Sequence, residues 1–225
     1  MNTAIQNFFQ MLISVPFILI SLSLHEFAHG WVAYKLGDNT AKNAGRLSIN
    51  PLKHIDWLGA ICMLLFKFGW AKPVPVNPYN FKKTGARGIV WVSLAGPLSN
   101  LVSSFLTMFI TFLVVLSEII TPSGIIAQSL MLFATLNIGL AVFNLIPIPP
   151  LDGSKVLMYF LPFQSKMWIE RNQQFISLIF LLLIIVPVGN ISVVSAVISP
   201  IINFAYKWIT VGSFEAARWI VSLWM

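Results

Sequence analysis

The sequence predicts an all-α polytopic membrane protein: about five full transmembrane helices, a short re-entrant or in-plane segment, and a small extended or β element. Three observations lead there. The 225 residues are 57% hydrophobic and only 9% charged, against about a quarter charged in an ordinary soluble domain. Apolar runs recur at lengths that can cross a hydrocarbon core about 30 Å thick. All 14 Lys and Arg fall within four segments, 35–56, 67–87, 155–171 and 207–218, and a five-crossing chain puts those four on one side of the membrane. The whole chain, 1–225, is expected to be one membrane-embedded domain.

The first helix is expected over 8–34. Its start lacks a basic region and a small-residue cleavage site, so it reads as a retained span. Its last third carries His25-Glu26-Phe27-Ala28-His29. Positions i and i+4 share a helix face, so both imidazoles can bind one metal ion. Glu26 is the next residue round, placed to take a proton from water there. Two histidines and a glutamate inside an apolar span are costly, and a bound divalent cation compensates all three.

A polar stretch over 35–87 follows. Within it Ala44–Pro51 alternates, with Arg46, Ser48 and Asn50 on one face and Leu47 and Ile49 on the other. That is strand period, and it makes this segment the better candidate edge for pairing with an extended peptide. The Pro-rich 72–78 lacks donors and is a poorer edge. Trp57–Phe66 is apolar but reaches only about half the hydrocarbon thickness, so it is read as re-entrant or in-plane. Lys72, Lys82, Lys83 and Arg87 form a basic cluster suited to lipid headgroups.

The second full span is expected over 88–116, where Ser93, Gly96, Asn100, Ser104 and Thr107 recur at helical spacing and suit close helix packing. After a turn at Glu118–Gly124, a third span runs 125–160, broken at 144–152 by Pro147, Pro149 and Pro150. Spans at 172–186 and 191–210 flank the turn Pro187–Asn190. The tail 213–225 is amphipathic, with Phe214, Ala217, Val221 and Trp224 on one face; it is expected to lie in the interface or to extend the last span. Trp57, Trp70, Trp208, Trp219 and Trp224 suit interface anchoring. By the positive-inside rule the N-terminus is external and the basic loops are cytoplasmic, which puts His25 and His29 about 10–15 Å from the cytoplasmic face.

A catalytic zinc site takes three protein ligands and keeps one position for water. The single cysteine, Cys62, excludes a Cys-rich site and an internal disulfide. The candidates for the third ligand are His54, Glu118 and Asp152. Glu118 is at the opposite face and His54 lies in a loop. Asp152 follows broken backbone at the depth of the histidines, and such backbone is tolerated only beside a cavity or buried in protein; its plain alternative is an N-cap for the helix that follows. Asn144 sits where the helix breaks. Its amide can bond freed carbonyls, or it can hold substrate or a developing oxyanion. The net charge of +7 is read as orientation and contact with anionic lipid, with no nucleic-acid partner.

These residues resemble a known family. His25-Glu26-x-x-His29 with Asn144-x-x-Pro147-x-Pro149-x-Leu151-Asp152-Gly153 is similar to the two-part motif of the site-2 proteases, and Gly96-Pro97-Leu98-Ser99-Asn100 matches a signature of the compact bacterial members. The resemblance implies one zinc ion per chain, ligated by His25, His29 and Asp152, with Glu26 as catalytic base. It implies a bacterial cell membrane and cleavage of membrane-embedded or membrane-adjacent protein segments. No block resembling the PDZ or CBS domains of some members is present. The rival expectation is a metal transporter or sensor using the same ligands, but such a protein would string ionisable groups along a path.

Overall fold

The computed structural model describes residues 3–66, 71–82, 84–188 and 191–224. The described chain is mostly helical: α1 (Thr3–Lys35), α2 (Thr40–Asn43), α3 (Trp57–Phe66), α4 (Arg87–Leu116), α5 (Ile125–Asn144), α6 (Asp152–Phe160), α7 (Phe163–Arg171), α8 (Gln173–Ile185) and α9 (Val193–Ser222). Two-residue strands β1 (Pro187–Val188) and β2 (Ile191–Ser192) pair antiparallel between α8 and α9. Trp70, Lys83 and the turn residues Gly189 and Asn190 lie outside the described residues.

Ser14–Lys35, Arg87–Leu116 and Ile125–Asn144 are long and apolar enough to cross a membrane. α7 and α8 pass that test only as a pair, bent by 67°. The described residues therefore carry three such helices, or four with the bent pair, where the sequence reading expects about five. α8 alone spans about 20 Å, and the expected last span, 191–210, falls in the first two thirds of α9. α3 is a ten-residue helix, Trp57–Phe66, about 15 Å long. It exposes Trp57, Leu58 and Ile61, as an in-plane or re-entrant piece would.

The last span and the tail are one element. α9 runs unbroken from Val193 to Ser222, so the extension reading holds and a separate tail does not. Ala217 is fully buried, and Phe214 meets Phe112 of α4 edge-on at 5.4 Å between ring centroids. Gly212 lies inside α9 beside Phe105 of α4, where an added Cβ would make an ordinary contact at 3.7 Å.

α4 is the hub, packing against α1, α5, α6 and α9. Its buried face includes Ser93, Gly96, Asn100 and Ser104, then continues through Met108 and Thr111 rather than Thr107. Small residues there let backbones approach, the main way helices gain contact in lipid. Met108, Ala134, Ile138, Val142 and Ile198 form an apolar cluster joining α4, α5 and α9. Asn137 donates to Ser21 Oγ at 2.9 Å and ties α5 to α1.

The segment 44–51 forms no strand. It turns locally, with Ser48 N–H donating to the Arg46 carbonyl at 3.0 Å, and runs into a 3-10 turn at Pro51–Lys53. The period-two pattern had no partner strand to pair with. Extended backbone appears instead around an isolated antiparallel bridge between Ile55 and Ala71.

Candidate metal centre

α1 presents His25 and His29 one turn apart, both buried. The third group arrives from the broken span. α5 ends at Asn144, and the chain turns through Pro147, Pro149 and Pro150 before α6 begins at Asp152. Gly153 makes this turn possible, because a Cβ there would collide with the backbone of Leu145 and Ile146. Asp152 is the first residue of α6, whose N-cap is Leu151. Its carboxylate therefore does not cap the helix. It faces α1.

Three side-chain atoms meet there. His25 Nε2 and His29 Nε2 are 3.0 Å apart, and Asp152 Oδ2 lies 3.1 Å from the first and 3.0 Å from the second. This near-equilateral triangle suits zinc: bond lengths of about 2.0–2.2 Å set neighbouring ligands of a tetrahedron about 3.3–3.6 Å apart, a few tenths of an ångström wider than the three atoms stand. The tautomer fits as well. His29 Nδ1 is 2.6 Å from the Val92 carbonyl, which can only accept, so Nδ1 carries the proton. In neutral His29 the Nε2 lone pair then points at a carboxylate and another imidazole nitrogen, a packing that calls for a cation. Gly96 of α4 closes the back: a Cβ on it would lie 2.5–2.6 Å from the imidazole atoms of His25 and His29.

The triangle lines a cavity of about 330 Å³, and Glu26 lies in the same wall. Among the described residues His25, His29 and Asp152 are the group of His, Cys, Asp or Glu able to hold a metal ion.

A peptidase family M50 model matches residues 112–187, which include Asn144 and Asp152 but not the His-Glu-His motif. A protein of Bacillus subtilis named "Putative zinc metalloprotease YwhC" is 39% identical over 176 residues, covering 77% of this chain and 80% of its own. The chain belongs to peptidase family M50. "Putative zinc metalloprotease Rip2" of Mycolicibacterium smegmatis is 32% identical over 176 residues, or 76% of this chain and 66% of that protein. No solved structure matches. The chain is thus a zinc metallopeptidase of the site-2 protease type and an integral membrane protein, and its buried His-His-Asp group suits the zinc cofactor of an M50 enzyme.

The other sequence candidates fall as follows. His54 is buried away from the cluster, its Nε2 donating to the Ser48 carbonyl at 2.6 Å. Glu118 sits in the α4–α5 turn with φ 59°. Asn144 lines the cavity and donates to the Leu140 carbonyl at 2.9 Å, which leaves one amide N–H and the carbonyl oxygen.

Two features escaped the sequence reading. The first is a strap along the cavity. Val74 and Val76 line the cavity, whereas no residue of 44–51 does, so the expected ranking of the two segments is reversed. The Val74 N–H donates to Glu26 Oε2 at 2.8 Å. The strap is stapled on both sides of that contact. Lys72 N–H donates to the His54 carbonyl at 2.9 Å, and its own carbonyl accepts from Arg46 at 2.6 Å. Asn77 N–H donates to Asp38 Oδ2 at 2.7 Å, and Asn80 Nδ2 to Asp38 Oδ1 at 2.8 Å. Burial pushes the Asp38 carboxyl up, but the bonds from Asn80, Thr40 and Asn77 outweigh it and hold the group below its ordinary range. The second feature is Lys155, whose ammonium lies 3.0 Å from Asp152 Oδ1. The i, i+3 spacing on α6 was its one available signal.

Proposed function

We propose that this M50 member is an intramembrane zinc endopeptidase that hydrolyses peptide bonds in membrane-embedded or membrane-adjacent segments of other proteins. His25, His29 and Asp152 hold the zinc and Glu26 is the general base. The observation that carries this reading is the triangle of Nε2, Nε2 and Oδ2 atoms beside a glutamate in one cavity.

Bound zinc supplies Lewis acidity, polarising a carbonyl and acidifying water. The residues do the rest. Val74 N–H fixes Glu26 Oε2, which leaves Oε1 to take the proton of the attacking water. Glu26 then returns that proton to the departing amide nitrogen, so the peptide bond breaks with a neutral amine as leaving group. The Val92 carbonyl keeps His29 in the tautomer that offers Nε2. Asn144 contributes its remaining amide N–H to the substrate or to its developing oxyanion. A helical substrate must unwind first, because its hydrogen bonds shield each carbonyl. The extended strap offers the unwound stretch a backbone to lie along.

The N-terminus faces outward and the basic loops face the cytoplasm, so water and substrate meet the site from the cytoplasmic side. The transporter reading finds no support in the clustering of buried ligands at one point.

Glu26→Gln tests the whole reading. Zinc stays near one equivalent while proteolysis falls by orders of magnitude. Membrane proteomics of cells carrying each form then shows precursors accumulating with the variant. Turnover at the parent rate in Glu26→Gln overturns the assignment of the base.

A further inference from the structure

Asp152 has two oxygens with different neighbours. Oδ2 completes the triangle with the imidazoles. Oδ1 accepts from the Lys155 ammonium at 3.0 Å. Lys155 stands three residues further along α6, on the same face, and reaches along the cavity wall. An exposed pair of this spacing would contribute little. Here the Asp152 side chain is only 9% exposed while that of Lys155 is 51% exposed. One end of the pair is therefore fixed inside the protein and the other is a half-exposed cation in the wall of the site.

We infer that Lys155 is a positioning residue that keeps Asp152 a one-oxygen ligand. The inference rests on Asp152 being a zinc ligand. Carboxylates bind metals through one oxygen or two, and a catalytic zinc must keep a position open for water. A second oxygen from Asp152 would crowd that position and raise the coordination number from four to five. The ammonium prevents this by holding Oδ1 in a charge-assisted hydrogen bond. It also places a positive charge beside a dication, which weakens metal binding. Both effects have the same sign. Losing Lys155 frees Oδ1 to chelate and removes a repelling charge, so the metal binds more tightly, in a five-coordinate form that crowds the water position. A residue needed only for folding would, when removed, loosen the metal instead.

The test uses the full chain in detergent, loaded with Co²⁺ as a visible probe, with zinc affinity measured by chelator competition. Four-coordinate Co²⁺ absorbs strongly in the visible and five-coordinate Co²⁺ more weakly. Lys155→Met is expected to cut that absorbance several-fold and to lower the zinc Kd about tenfold, through the added oxygen ligand and the lost positive charge. Lys155→Arg, which keeps the charge and the donor, is expected to restore both. A Lys155→Met protein with the parent spectrum, or with weaker zinc binding, overturns the inference. Asp152→Ala separates the two claims. If it keeps the parent spectrum, the ligand assignment itself has failed. If it loses the metal while Lys155→Met matches the parent, only the positioning role has failed.

Discussion

Gly96 has no side chain because two imidazoles occupy the place where one would begin. A methyl at that position would sit 2.5–2.6 Å from His25 and His29 atoms, well inside van der Waals contact. α4 cannot retreat easily, since its other buried residues pack on α5 and α9. Gly96→Ala is therefore expected to displace the ligand rings and lower zinc affinity by about 10–100-fold, measured by chelator competition. Far-UV circular dichroism should stay unchanged, because Ala favours a helix more than Gly does. Parent-like zinc affinity in this variant would mean the rings have room that the structure does not give them. At this scale the sequence was most readable. His25 and His29 announce themselves by i, i+4 spacing, and Asp152 by the prolines before it. Gly96 read as a small packing residue and as part of a family signature, and its contact with the imidazoles went unseen because they come from another helix. Lys155 escaped notice because a lysine near a helix start is ordinary until its partner is known.

Among the elements, the strap 72–80 depends on one carboxylate outside the spans. Asp38 is fully buried and accepts from Thr40, Asn77 and Asn80. Its folded-state pKa is depressed, so it stabilises the fold fully above about pH 4, the unfolded value. That stabilisation is lost as pH falls from there through the lower folded value. Asp38→Asn is expected to cost about 2 kcal/mol, since it replaces an acceptor-only group bonded to several donors. Hydrogen exchange should show the amides of Val74 and Asn77 opening in the variant, with their protection no longer falling in acid. Unchanged protection would separate Asp38 from the strap. The sequence reading ranked this segment low because it counted missing donors at two of its prolines. It passed over the donor between two of them: Val74 keeps its N–H, and its partner Glu26 lies 48 residues away. Contacts at that separation leave no periodic trace. The opposite error occurred at 44–51, where a period-two pattern exists but no neighbouring strand does.

For the whole molecule, the distribution of basic residues makes a labelling experiment decisive. Single cysteines at Ser123 are expected to react from outside the cell, and those at Lys42, Lys82 and Lys166 only from the cytoplasm, in a chain whose Cys62 is replaced. External labelling at Lys82 would show that α3 crosses and would undo the proposed orientation. The class of the fold could be read in advance because apolar length is a summed property. The end of the last span could not, because the helix continues where Ala217 is buried and Phe214 lies against Phe112 of α4, contacts made with a distant part of the chain.

His25 and His29 stand 127 and 123 residues from Asp152, and α4 and α5 lie between them in the chain. An ion held by all three acts as a removable rivet through the first helix and the sixth. It closes one large loop of chain, much as a disulfide would, yet can be withdrawn without breaking a covalent bond. Stability should then follow the free-ion concentration, rising with the logarithm of metal over Kd. Chelation should lower the unfolding temperature of the detergent-purified protein by several degrees, and added Zn²⁺ should restore it. The same chelator should leave Asp152→Ala unmoved. Supply of one trace ion would thus decide how long the folded protein survives as well as whether it works.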